Sequence, residues 1–159
     1  MKPKLSGIEI TLEDSTSPHA QWCLARYYEE LAERFEEGFD VGASIPTPAD
    51  ELTPPRGAFL VARSEGSPVA CGALMTQEPG IGYIRRMWVS DTMRRRGLGR
   101  RILAALEDQA RDLGMSKVRL ETNRALREAI ALYQSSGYQA IPAFNDEHYA
   151  HHWFEKRLT

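Results

Sequence analysis

The residues best equipped for chemistry stand together in the stretch Met87 to Arg100, which reads MWVSDTMRRRGLGR. A strand-like run leads into a loop, and Gly97 and Gly99, one residue apart, open a helical pattern. Glycine lets a backbone approach a bulky anion with no Cβ in the way. The free N–H groups of a first helical turn, with the helix dipole behind them, then hold negative charge. Arg94, Arg95 and Arg96 precede the glycines and can add charge-assisted contacts to phosphate oxygens. The segment reads as a polyphosphate site; the bland alternative is a tight turn beside a solvated charge run. A P-loop would place Lys and then Ser or Thr after the second glycine, but Arg100 and Arg101 follow Gly99. A dinucleotide fingerprint would continue to a third glycine after the first strand, and this pattern does neither.

The surrounding elements must hold that turn. Gly7 to Thr11 alternates apolar and polar as a short strand. Ser17 and Pro18 mark a helix start, after which Leu24, Tyr27, Tyr28, Leu31 and Phe35 recur at helical spacing. Glu29, Glu30, Glu33, Glu36 and Glu37 fall on the other face, most simply a solvated one. Pro46, Pro48, Pro54 and Pro55 exclude a regular helix or central strand from Val41 to Arg56, a loop that either caps a pocket or merely connects. Strands are expected at Ala58 to Arg63, Pro68 to Met75 and Gly82 to Val89, joined by tight turns. A helix bearing Leu98, Ile102, Ala105, Leu106, Ala110 and Leu113 follows and ends at Gly114. Lys117 to Thr122 is a strand, Leu126 to Ser135 a short helix, and Tyr138 to Ile141 and His152 to Arg157 are closing strands. The order β-α-β-β-β-α-β-α-β-β predicts a mixed α/β domain over residues 1–159, with a central sheet flanked by helices.

With these elements in place the sequence resembles the GNAT N-acetyltransferase superfamily. Arg94-Arg95-Arg96-Gly97-Leu98-Gly99 fits its (Q/R)xxGx(G/A) pyrophosphate motif, and Leu132-Tyr133-Gln134-Ser135-Ser136-Gly137-Tyr138 fits its second signature, LYxxxG followed by an aromatic residue. The separation of the two motifs, one helix and one strand, also agrees. The resemblance implies a mostly antiparallel GNAT-like sheet and acetyl-CoA as co-substrate. It implies pantetheine along the fourth strand at Met87, Trp88 and Val89, and the cofactor phosphates on Arg94, Arg95, Arg96, Gly97, Leu98, Gly99 and Arg100.

Acetyl transfer to an amine needs a bound thioester, a neutral amine, a stabilised oxyanion and a proton for the departing thiolate. An alkylammonium has a pKa of about 10.4, so a base or a desolvating pocket must release its proton. By the resemblance Tyr133 is the acid that protonates sulfur; packing of helix against sheet is the other role open to it. Many relatives place a glutamate base on the fourth strand, where this sequence has Tyr83, Arg85 and Arg86. Glu121 on the next strand is the nearest carboxylate in order, and a base acting through water is the alternative. Leu126 stands where many relatives carry a cofactor-binding asparagine, and Asn123, three residues earlier, can cap the helix. In the closing loop Asp146 or Glu147 could hold an ammonium, with Phe144, Tyr149 or Trp153 as a cation–π wall.

Composition narrows the partners. The 159 residues carry a formal net charge of −2, which does not favour nucleic acid as the main partner. Arg85, Arg86, Arg94, Arg95, Arg96, Arg100 and Arg101 nonetheless form a basic segment that could meet RNA, keeping a protein or aminoacyl-tRNA acceptor open beside a small-molecule amine. A non-catalytic acyl-CoA sensor is the third reading. The longest aliphatic stretch, Ile102 to Leu106, is far too short to span a membrane, and no apolar signal core follows Met1-Lys2-Pro3-Lys4. Cys23 and Cys71 lie outside any CxxC spacing and are expected as buried thiols in a reducing cytoplasm. His148, His151 and His152 match no standard zinc spacing, so no metal is expected. Strand edges near the C-terminus leave a homodimer open.

Overall fold

The computed structural model describes residues 7–159; the Met1–Lys4 segment, where a leader would begin, lies outside them. Strand β1 (Ile8–Leu12) is followed by helix α1 (Pro18–Arg34), then by β2 (Ala58–Ser64), β3 (Ser67–Glu78) and β4 (Ile81–Val89). Helix α2 (Leu98–Asp112), β5 (Lys117–Thr122), α3 (Arg127–Ser135), β6 (Gln139–Ile141) and β7 (His152–Arg157) complete the order. This is the expected succession, with β3 running three residues further than its apolar pattern because Thr76–Glu78 still pair with β4. The seven strands of the described residues form one sheet ordered β1-β2-β3-β4-β5-β7-β6. Every neighbouring pair is antiparallel except β4 and β5.

Period-two alternation divides the core between the two faces. On β2, Ala58, Leu60 and Ala62 join Leu98, Ile102 and Leu106 of α2 in one apolar cluster. Phe59 and Val61 point the other way and pack with Ala20, Cys23 and Leu24 of α1. Helix α1 starts as expected: the Ser17 hydroxyl accepts from the Ala20 N–H and Pro18 occupies the first turn. Helix α2 ends as expected: Gly114 has φ +81° and the Met115 N–H reaches back to the Ala110 carbonyl. Both thiols are buried and free; Cys71 Sγ donates to the Arg86 carbonyl at 3.3 Å.

Two irregularities open the middle of the sheet. The parallel pairing of β4 with β5 covers only Ile81–Tyr83 against Lys117–Arg119, after which the strands part. On its other edge β4 bulges against β3: Ala73 faces Arg85, yet Cys71 faces Trp88, and Arg86 within the bulge has φ +57°. The proline-rich loop contains two short 3-10 turns, Val41–Ala43 and Ala49–Leu52, and Leu52 is buried in the α1 cluster. None of the helices among the described residues is long and apolar enough to cross a membrane.

The exit of that loop is anchored at Gly57. A Cβ there would lie 2.2 Å from the Leu74 carbonyl oxygen and 2.3 Å from that of Glu51. Gly57→Ala should therefore destabilise the protein by about 1–3 kcal/mol, because backbone must move. Gly7→Ala, which meets nothing within 4 Å, should stay within about 0.5 kcal/mol in the same urea titration.

Candidate active site

Where β4 leaves β5, a cleft of about 740 Å³ opens between α1, β4, α2 and α3. Met87, Trp88 and Val89 supply one wall; Arg94, Arg95 and Gly97 form the turn; Leu98, Gly99 and Arg100 supply the start of α2. Of the residues expected at a phosphate site, Arg96 alone is not part of the lining. Gly97 caps α2 with φ +81° and ψ 8°, a left-handed conformation that favours glycine. The Arg101 N–H is the first to bond within the helix, to the Gly97 carbonyl. The N–H groups of Leu98, Gly99 and Arg100 therefore precede the helical ladder, and neither a side-chain cap nor a first-turn acid answers them. Such a turn binds an anion through backbone donors and dipole together.

The arginines are more constrained than their sequence suggests. Arg94 is held by Glu30 of α1, by Asp91 at 2.9 Å and by the Val89 carbonyl at 3.1 Å. Glu30 also pairs with Arg34 at 3.1 Å, and Arg34 in turn reaches Glu128 of α3. Glu30 is thus a brace between α1 and the turn, which corrects its assignment to a solvated glutamate face. Arg100 crosses to α3 and donates to Ser135 Oγ at 2.8 Å and Ser136 Oγ at 3.0 Å. Arg95 is exposed beside the cleft.

A second, smaller cavity of about 90 Å³ adjoins the cleft, and Tyr27, Met87, Leu126 and Tyr133 border both. Tyr133 is buried and packs near Tyr138 and Phe154. Burial, with the nearby Tyr27 and Glu121, pushes its pKa well above the ordinary phenol value. Burial likewise raises Tyr27, to about 12. Both remain protonated at neutral pH. The sequence marks Tyr27 only as part of a core-facing helical stripe, and no local signal separates a core tyrosine from one at a junction.

Glu121 lies on β5 inside the small cavity, its side chain 5% exposed. Oε1 accepts the Tyr83 hydroxyl and lies 3.8 Å from Arg85, while Oε2 is buried with no hydrogen-bond partner among the described residues. Burial raises its pKa against the pull of Arg85 and the Tyr83 hydrogen bond. The result is a carboxyl moved toward neutrality with one oxygen unengaged.

Glu147 is committed elsewhere. It accepts from Arg85 at 2.7 Å, Ser44 Oγ at 2.6 Å, the Ile45 N–H at 2.9 Å and the Tyr149 N–H at 3.1 Å. Burial would raise its pKa, but these donors outweigh burial and hold it below the ordinary carboxylate value. It is therefore a structural anion and not a free ammonium site, and Asp146 is exposed. Phe144 packs edge-on against Tyr83, Tyr149 bonds the Asp40 backbone, and Trp153 donates to Asn145. Asn123 accepts from the Ala125 N–H and donates to the Tyr149 carbonyl, shaping the entry to α3. Arg85 and Arg86 both donate to the Ile45 carbonyl, so Ser44 and Ile45 are pinned against the cavity. That part of the proline-rich loop borders a pocket and does more than connect. Among the described residues no cluster of three or more His, Cys, Asp or Glu is placed to hold a metal.

Comparison with known proteins places this geometry in a family. The model of the acetyltransferase (GNAT) family matches residues 24–138. An "IAA acetyltransferase" of Azospirillum brasilense is 43% identical over 88 residues, which is 55% of this chain and 58% of that protein's length. A Klebsiella pneumoniae protein described as an acyl-CoA N-acyltransferase superposes with a TM-score of 0.78 at 30% identity, covering 96% of this chain and 98% of that one. YncA of Salmonella typhimurium, solved with its cofactor acetyl-CoA, shares the fold at a TM-score of 0.68 and 14% identity, over 96% and 95% of the two chains.

Arg85 is the group on which the small cavity rests electrostatically. Arg85→Met should cost about 3–5 kcal/mol of stability, because it strands Glu147 as an uncompensated buried charge. A urea titration at neutral pH reads this directly.

Proposed function

The chain belongs to the GNAT acetyltransferase family, and we propose that it moves an acetyl group from acetyl-CoA to the amine of a small molecule. The observation that carries this reading is the junction at Tyr133, where a cleft ending on an uncapped helix start meets a cavity containing a base-competent carboxyl. The cleft fits the cofactor: an uncapped α2 N-terminus suits a pyrophosphate, and Met87 to Val89 offer a strand wall for its arm. When bound, acetyl-CoA supplies the activated thioester.

The residues then divide the work. Glu121 accepts the ammonium proton through Oε2, leaving a neutral amine to form the new C–N bond. A β4 backbone N–H beyond Tyr83, where β5 has parted, polarises the thioester oxygen. Tyr133 gives its proton to the sulfur as the C–S bond breaks, and the second proton shed by the attacking nitrogen restores the phenol, so the products are an amide and free thiol. Raised pKa values suit both assignments: a carboxyl that can hold an amine proton, and a phenol that stays protonated until sulfur departs.

The small size of the cavity and its border at Ser44 support a compact acceptor. The RNA reading loses ground because Arg85 and Arg86 are buried and Arg94 is held by acids. A mere sensor would have no use for Glu121 and Tyr133 flanking one junction.

Thiol release from acetyl-CoA, followed against amines, amino acids and peptide N-termini, tests the reaction. Acceptor-dependent release supports it; silence with every acceptor despite cofactor binding counts against it. Tyr133→Phe should lower kcat by about 10²–10⁴-fold while leaving acetyl-CoA affinity nearly unchanged. For Glu121 the sign is fixed by its role: kcat/KM should rise with pH as the carboxyl deprotonates, at a pH above the ordinary glutamate value of about 4.3. Glu121→Gln should remove that limb from the profile.

A further inference from the structure

Arg86 is a buried cation that acetyl transfer by Glu121 and Tyr133 does not use. It is 4% exposed and sits on the β4 bulge, where φ of +57° sets it apart from regular strand residues. Nη2 donates to the Ile45 carbonyl at 3.1 Å, the guanidinium lies 5.4 Å from the Tyr28 ring centre, and Nε is buried with no hydrogen-bond partner among the described residues. Arg85, one residue earlier, contrasts with it: Glu147 lies 2.7 Å away and Glu121 3.8 Å away. Among the described residues no Asp or Glu forms an ion pair with Arg86. A carbonyl and a ring face offset only part of the cost of burying a full charge.

The two arginines and two glutamates that line the small cavity cancel only while Glu121 is ionised, before it takes a proton from the acceptor. Arg85 and Glu147 neutralise each other as a pair. Burial raises the pKa of Glu121, and in the reaction this carboxyl takes up the ammonium proton. That leaves one excess positive charge, on Arg86, which lines the acceptor cavity and is not part of the cofactor cleft. The cofactor phosphates therefore do not answer it. The remaining lining includes Leu31, Phe35 and Leu126, an apolar wall for a short carbon skeleton.

We propose that the acceptor is a small amine that also carries a carboxylate, an amino acid or a similar amino-carboxylate. Its carboxylate lies on the Arg86 guanidinium while its amine faces Glu121. This rests on the acetyl-transfer reading and gives that reading a substrate class. A bidentate carboxylate is the natural complement of a buried planar guanidinium. A polyamine, by contrast, would bring a second ammonium toward an unneutralised cation.

The test compares amino acids with their carboxamides and with simple alkylamines, by initial rates of thiol release from acetyl-CoA. Wild-type protein should favour the best amino acid over its amide by roughly tenfold or more in kcat/KM. Arg86→Gln should bring that preference close to unity, mainly through KM, and Arg86→Lys should restore part of it. Acetyl-CoA affinity and melting temperature, measured on each variant, show whether the cofactor site survives. Amides or polyamines outperforming amino acids in the wild type would overturn the proposal while leaving acetyl transfer standing. So would an Arg86→Gln variant that binds acetyl-CoA and keeps the full preference. Absence of release with every acceptor would instead remove the acetyl-transfer reading, and the proposal with it.

Discussion

Strands β4 and β5 share only three paired residues before they separate, and the opening between them is the constraint on which the site depends. A parallel pair normally continues its ladder for the length of the shorter strand, because unpaired backbone groups are costly when buried. Here both strands continue past the last pair, β4 to Val89 and β5 to Thr122. Each keeps an antiparallel partner on its outer edge, β3 for one and β7 for the other. The sheet can therefore split in its middle without either strand losing its place. The gap leaves a strand edge facing inward, and the start of α2 closes one end of it with helix donors.

The second organising feature is a buried set of charges at the other end of the gap. Arg85 and Glu147 form its neutral centre, tying β4 to the closing loop and both to Ser44 and Ile45 of the proline-rich loop. Against that background, and among the described residues, Glu121 Oε2 and Arg86 Nε are buried without a hydrogen-bond partner. Low dielectric makes such groups expensive to leave unanswered, which is why they point to a ligand more strongly than exposed charges would. Tyr133 stands where the two ends meet.

Local chemistry was the most legible part of the sequence. The glycine spacing at Gly97 and Gly99, the Ser17-Pro18 helix start and the Gly114 helix stop depend on neighbours within one turn, and each occurs where the residues place it. Alternation and helical spacing likewise locate nearly all element boundaries, since burial acts on a face at a time. Long-range pairing was not legible. Arg85 and Arg86 look like part of a basic surface segment, because nothing nearby in sequence announces Glu147 or the Ile45 carbonyl, which lie on distant loops. Glu30 looks solvated for the same reason, its partner Arg94 being 64 residues away. Glu147 reads in sequence as available to an ammonium, and only the folded chain surrounds it with four donors. The bulge that sets Arg86 apart carries no sequence signal either, since an arginine at positive φ is not foreseen by propensity.

The central claim is that the uncapped start of α2, at the edge of the gap, holds the cofactor's phosphates. Calorimetric titration of acetyl-CoA into wild-type protein and Gly97→Glu tests it most directly, with the melting temperature of both proteins followed alongside. The account predicts measurable binding to the wild type and its loss in the variant, where a carboxylate occupies the place of the pyrophosphate. Unchanged acetyl-CoA affinity in a folded Gly97→Glu protein would contradict it.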